Sequence, residues 1–186
     1  MIRVSLNNAF AKRTLKPLLE KHQATPVGVN LKSGQGEIYS GMVASLTVET
    51  PGTTGVVQIA DDASGASGDD SVFGLFALDK NITINDLDGQ PADLSPFAVW
   101  QGGPDAYFKV DSAADPLGVS LSGRGGFDIR DAYVVGDALY VTESGKLGTG
   151  TWNGQATLGA VPVAQVTEVV SSTRLVIRLS APAPLA

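Results

Sequence analysis

Few residues in this chain are of types that do chemistry, and their spacing is unhelpful to catalysis. There is one histidine, His22, and no cysteine. A Ser-His-Asp device needs its imidazole on a rigid scaffold beside a nucleophile. His22 lies in a basic leader, where a solvent-facing ring is the expected state. Thiol nucleophiles, disulfides and thiolate metal sites are excluded by composition. Ser122-Gly123-Arg124-Gly125-Gly126 has the glycines of a phosphate loop, but no helix follows and the Gly-Lys-Ser/Thr signature is missing. A tight loop is the simpler reading. Asp61, Asp62, Asp69 and Asp70 bracket a loop of small residues, and Asp86 and Asp88 flank a turn. Hard cations favour such carboxylate groupings, yet neither has EF-hand spacing, and turn aspartates commonly bond their own backbone. No metal and no cofactor are expected. Paired carboxylates for glycoside hydrolysis are assembled in space and leave no sequence signature. Aromatic residues are only 6% of the chain, few for a sugar-binding groove. Trp100 and Trp152 read as anchors of the core or of an oligomer interface. The expectation is a protein that is not an enzyme.

The elements that would carry these residues are short. Twenty-two glycines and ten prolines punctuate runs rich in Val, Ile, Thr and Tyr. That pattern implies an all-β fold of barrel- or sandwich-like units, with an extended N-terminal arm and at most a short helix. Ala44–Glu49, Gly55–Ala60, Ser71–Leu78 and Asn81–Asn85 read as strands. Phe97–Trp100 and Ala106–Val110 flank Gly102-Gly103-Pro104-Asp105 and read as a hairpin. Asp111–Gly126 is poor in bulky residues and reads as a connector. Beyond it, strands are expected around Ala138–Thr142, Leu158–Val166 and Arg174–Leu179. Pro162 argues for an edge or a bulge in the second of these. The tail, Ala181-Pro182-Ala183-Pro184-Leu185-Ala186, is too rich in proline to pair. The organisation expected is an arm over 1–36, a first β unit over 37–120, and a barrel-like unit over 121–186. The only helix candidate is Leu15–His22, with Pro17 inside it.

Charge is uneven. Residues 1–32 hold six basic residues against Glu20, whereas the rest of the chain holds seven basic and eighteen acidic. A basic leader on an acidic body suits contact with an acidic protein surface. The acidic body argues against nucleic acid. No apolar run approaches the roughly 20 residues of a membrane helix, and residues 1–8 lack the apolar block of a secretory signal. A cytosolic site of synthesis and no membrane partner are expected.

Gly136-Asp137-Ala138-Leu139-Tyr140-Val141, Gly145-Lys146-Leu147, Leu158-Gly159-Ala160-Val161 and Arg174-Leu175-Val176-Ile177-Arg178-Leu179 together resemble the small β-barrel module of tailed-bacteriophage capsid decoration, or cement, proteins. Ser40–Val43, Phe73–Ala77 and Val99–Asp105 resemble segments of virion structural proteins of that kind. The resemblance implies a capsid protein displayed on the virion surface, made in the host cytoplasm. Its partner would be the major capsid protein, and it would act as a homodimer or homotrimer that stabilises the lattice. On that reading Arg3, Phe10, Lys12, Arg13, Lys16 and Lys21 of the arm contact the capsid, and Trp100 and Trp152 serve the oligomer. The competing readings are a phage tail or fibre subunit, a carbohydrate-binding module, and a hydrolase with carboxylates assembled in space.

Overall fold

The computed structural model describes residues 15–17, 27–29, 31–32, 35–47, 56–60, 71–77, 97–102, 106–118, 120–142, 145–150 and 162–180. Within them the fold is all-β, with two antiparallel sheets and no α-helix. The strands are β1 (Leu15–Pro17), β2 (Val27–Val29), β3 (Val43–Thr47), β4 (Val56–Ile59), β5 (Ser71–Phe76) and β6 (Phe97–Trp100). They continue as β7 (Tyr107–Ala113), β8 (Arg124–Gly125), β9 (Ala138–Val141), β10 (Leu147–Gly148), β11 (Ala164–Ser171) and β12 (Arg174–Leu179).

A seven-stranded sheet, one of the two curling into a half-barrel, runs in the order β1-β7-β12-β11-β9-β10, with β8 folded back on β7. β7 shows why a strand forms there: Phe108, Val110 and Ser112 are buried while Tyr107, Lys109 and Asp111 alternate outward, the period-two pattern of a half-buried strand. The five-stranded sheet runs β2-β6-β5-β3-β4. Its strands are apolar on both faces, because each face meets a core. Val43, Leu75 and Trp100 point to the layer shared with the larger sheet, where Phe108, Phe127, Leu139 and Ile177 sit. Ala44, Phe76 and Val99 point the other way, to a smaller core closed by Ile38 and Met42. Burying each large side chain contributes about 2 kcal/mol, so the double-sided sheet ties the two cores together. The layers also touch through backbone. A Cβ on Gly126 would lie 2.9 Å from the Cα of Gly41, so both positions require glycine to let the chains approach.

Several expectations are corrected here. Leu15–Pro17 is an edge strand and not the start of a helix; Leu15 pairs with Val110 and is buried in the main core. Pro17 fits because the edge leaves its missing N–H without a ladder partner to supply. Val27–Val29 pairs with β6. The span 1–36 therefore contributes a strand to each sheet and is not simply an arm. Phe97–Trp100 and Ala106–Val110 do not form a hairpin: β6 pairs with β2 and β5, β7 with β1, β12 and β8. The chain switches sheets between them, so that Trp100 and Phe108 meet across the core at 5.5 Å between ring centroids. The stretch 111–126 is likewise no plain connector. β7 continues to Ala113, and Arg124–Gly125 returns to pair with it. Pairing of β7 with β12 and the shared core also cross the expected boundary at 120. Asn81–Asn85, the acidic loop 61–70 and residues 181–186 lie outside the described residues.

Candidate functional site

The loop from Asp115 to Arg124 is built around one carboxylate. Asp115 Oδ1 accepts from the Leu117 N–H at 3.1 Å, and Oδ2 accepts from the Ser120 N–H at 2.9 Å. Arg124 Nε stands 3.2 Å from Oδ1. The side chain of Asp115 is 3% exposed and that of Arg124 37%, so a buried anion fixes a cation whose far end reaches solvent. Gly123 closes the loop with φ 82°, and a Cβ there would lie 2.6 Å from the Ala113 carbonyl oxygen.

Lys146 enters this loop from the β9–β10 turn. That turn is held by the Thr142 N–H and Oγ1, which donate to the Lys146 carbonyl at 2.7 and 3.0 Å. The Lys146 side chain is buried, which is rare for lysine. Its Nζ donates to Ser122 Oγ at 2.9 Å and to the Gly123 carbonyl. Ser122 Oγ is in turn 3.1 Å from Ser120 Oγ. Across from them, the Tyr39 hydroxyl donates to Glu37 Oε2 at 2.5 Å. Burial, reinforced by the Glu37 carboxylate, holds the Tyr39 phenol well above its ordinary range. Glu37, Tyr39, Met42, Asp115, Ser120, Gly123, Arg124 and Lys146 together line a cleft of about 330 Å³.

A second polar network lies between β8 and β10. Arg130 donates from Nε to Asp128 Oδ1 at 2.9 Å and from Nη2 to Oδ2 at 2.6 Å. Asp131 Oδ2 accepts from the Thr149 and Gly150 N–H groups at 2.7 and 3.1 Å. The Tyr133 hydroxyl donates to the Asp128 carbonyl at 2.5 Å. Burial, then the nearby Asp131 and Asp128 charges, push the Tyr133 phenol far up.

Large aliphatic side chains stand exposed beside these networks. Leu117 and Leu121, 74% and 70% exposed, project from the Asp115 loop. Val134 and Val135 project from a turn pinned by Asp137, whose Oδ2 accepts from the Val134 N–H at 2.7 Å. Val169 and Val170 are exposed at the far end of β11.

Of the residues singled out in the sequence, Arg3, Phe10, Lys12, Arg13, Lys21, His22 and Trp152 lie outside the described residues. Lys16 sits in β1 opposite Lys109. Trp100 is partly buried and packs against the main core. No group of three or more His, Asp or Glu is placed to hold a metal among the described residues. Sequence reasoning passed over Ser120, Ser122, Lys146 and the aspartate-pinned loops. Their partners are up to 24 positions apart, and the one local clue was the Asp-x-Leu and Val-x-x-Asp spacing of side-chain-closed turns. No protein-family model matches the chain, and no curated protein matches it.

Proposed function

We propose that this chain is a structural adhesion subunit, a capsid decoration protein that clamps the outer face of a phage head by binding across its lattice of major capsid protein. The observation that carries the reading is the pair of pinned loops. Each is fixed by one aspartate, Asp115 or Asp137, and each presents two bare aliphatic side chains, Leu117 with Leu121 and Val134 with Val135. Exposed apolar groups on pre-organised loops suit a protein partner, because little conformational entropy is lost on docking. The segments that carry the family resemblance support it as well: Gly136–Leu179 supplies β9 to β12 of one sheet, with the Gly136 and Gly145 turns at positive φ. A clamp that binds only the assembled lattice stabilises that lattice by mass action, and many copies gain by avidity.

The test mixes purified protein with expanded, undecorated capsids. Saturable binding is expected, with at least a tenfold loss for Leu117→Ser/Leu121→Ser. Reversing the charge of Arg3, Lys12 and Arg13 tests the leader separately. Deleting 1–36 would not, since it would also remove β1 and β2. Failure of the wild-type protein to bind, or full binding by a variant altered at all four aliphatic positions, would overturn the proposal.

A further inference from the structure

We infer that the cleft between the Asp115 loop and the Glu37–Met42 segment carries an acyl-transfer site, with Ser120 as nucleophile, Ser122 as proton bridge and Lys146 as base. This goes beyond the adhesive role and does not depend on it. Three side chains of the right types stand in line: Ser120 Oγ, Ser122 Oγ 3.1 Å away, and Lys146 Nζ 2.9 Å beyond that. Ser120 and Lys146 both line the cleft, so the two ends of the relay face the same space. Ser122 and Lys146 are nearly solvent-free, as a proton relay must be if water is not to compete. A lysine paired with a serine is a known alternative to histidine for activating a hydroxyl.

The surroundings hold the parts still. The Ser120 N–H is fixed by Asp115 Oδ2, and Lys146 is fixed by the Thr142 turn. Arg124, with Nε turned to Asp115, lines the same cleft and supplies a fixed positive charge for a developing oxyanion. With Lys146 neutral, as a base must be, the Glu37 and Asp115 charges of the lining outweigh that of Arg124, which disfavours an anionic substrate. At about 330 Å³ the cleft is at the small end of ligand sites. The substrate class is a carboxylic ester with a small acyl group. The resting bonds run the other way, from Lys146 Nζ to Ser122 Oγ and from Ser120 Oγ to the Gly123 carbonyl at 3.2 Å, so both hydroxyls turn before the first step. With the Lys146 amine neutral, as the relay requires, Ser120 Oγ bonds to the acyl carbon while its proton passes to Ser122 Oγ, whose own proton passes to that amine. The ester C–O bond then breaks, and the leaving alkoxide takes the proton back from Lys146 through the same relay. Water attacks the acyl-Ser120 by the same path and releases the acid.

The test treats the full-length protein with a fluorophosphonate and locates the adduct by peptide mass spectrometry. The expected product is a phosphonyl group on Ser120, formed faster as pH rises. General-base assistance is worth about 10²–10⁴-fold, so Ser122→Ala and Lys146→Met should slow labelling at least a hundredfold. Lys146→Arg separates the roles, because guanidinium can donate the same hydrogen bonds but cannot act as the base. It should keep the melting temperature closer to wild type than Lys146→Met does and still lose labelling. Should both Lys146 variants fail to fold, Ser122→Ala against wild type decides. No adduct on Ser120 of the wild type, or undiminished labelling of a folded Ser122 or Lys146 variant, would overturn the inference.

Discussion

The two polar networks use the same residue types to opposite ends. Around Asp128, Arg130, Asp131 and Tyr133, the carboxylates are consumed by one guanidinium and by backbone N–H groups, those bound to Asp131 belonging to the two residues that follow β10. Around Asp115, Arg124, Ser120, Ser122 and Lys146, buried Asp115, Ser122 and Lys146 hold a loop in place, but Asp115, Ser120, Arg124 and Lys146 also line open space. The difference teaches that satisfaction of hydrogen bonds does not separate scaffold from site; what separates them is whether the last member of the network faces protein or solvent.

The comparison is broken most severely at Asp128. Its side chain is fully buried, and Asp128→Ala leaves Arg130 without its bidentate partner, so a loss of about 3 kcal/mol is expected, read from the midpoint of urea unfolding. Asp131→Ala strands the Thr149 and Gly150 N–H groups and should cost about 2 kcal/mol by the same measurement. Asp115→Ala is expected to cost only about 1 kcal/mol, because its loop borders solvent. It should nevertheless loosen Leu117 and Ser120, visible as faster amide exchange confined to residues 115–124. If Asp115→Ala destabilises as much as Asp128→Ala, the distinction between closed and open networks fails.

The smallest effect is on the alkaline side. Tyr133 and Tyr39 both have phenols raised above the ordinary value of about 10. In the unfolded chain they lose their protons near that value while the folded chain keeps them. The stabilisation is therefore complete below about pH 10 and is lost progressively as pH climbs above it. Tyr133 is the more deeply buried of the two. Tyr133→Phe should flatten the high-pH decline of stability more than Tyr39→Phe, as followed by circular dichroism against pH. The reverse order would mean that the Tyr133 network is the more open one.

Much of the C-terminal half was legible from sequence. Arg174–Leu179 is a strand at the expected residues, with Leu175, Ile177 and Leu179 buried, because its alternation and the Ser171-Ser172-Thr173 turn are local signals. Ala138–Val141 was readable for the same reason. The expected edge or bulge at Pro162 is not met: β11 begins only at Ala164 and lies between β12 and β9, so the proline precedes the strand, and the register shifts of β11 fall further on, between Val166 and Glu168 and between Val169 and Ser171. What could not be read was long-range. Leu15 in β1 finds Val110, and the Phe97–Trp100 run leaves its apparent hairpin mate for β2 and β5. Nothing in the three residues of β1 announces a partner so distant, and Pro17 there suits a helix start as well as a sheet edge. The cleft was opaque for the same reason. Lys146 reads as a turn lysine until the fold carries it beneath Ser122 and Gly123.

The position of β12 in the middle of the larger sheet has a consequence for how the molecule comes into being. It is the last of the described strands, and it alone joins β7 to β11. A nascent chain still lacking Arg174–Leu179 holds two half-sheets with nothing between them, each exposing a naked strand edge. Closure of the larger sheet thus waits for these residues, and its non-local pairings make that closure slow. Products truncated before Arg174 are expected in inclusion bodies, so β12 works as a check that copies lacking it do not become soluble.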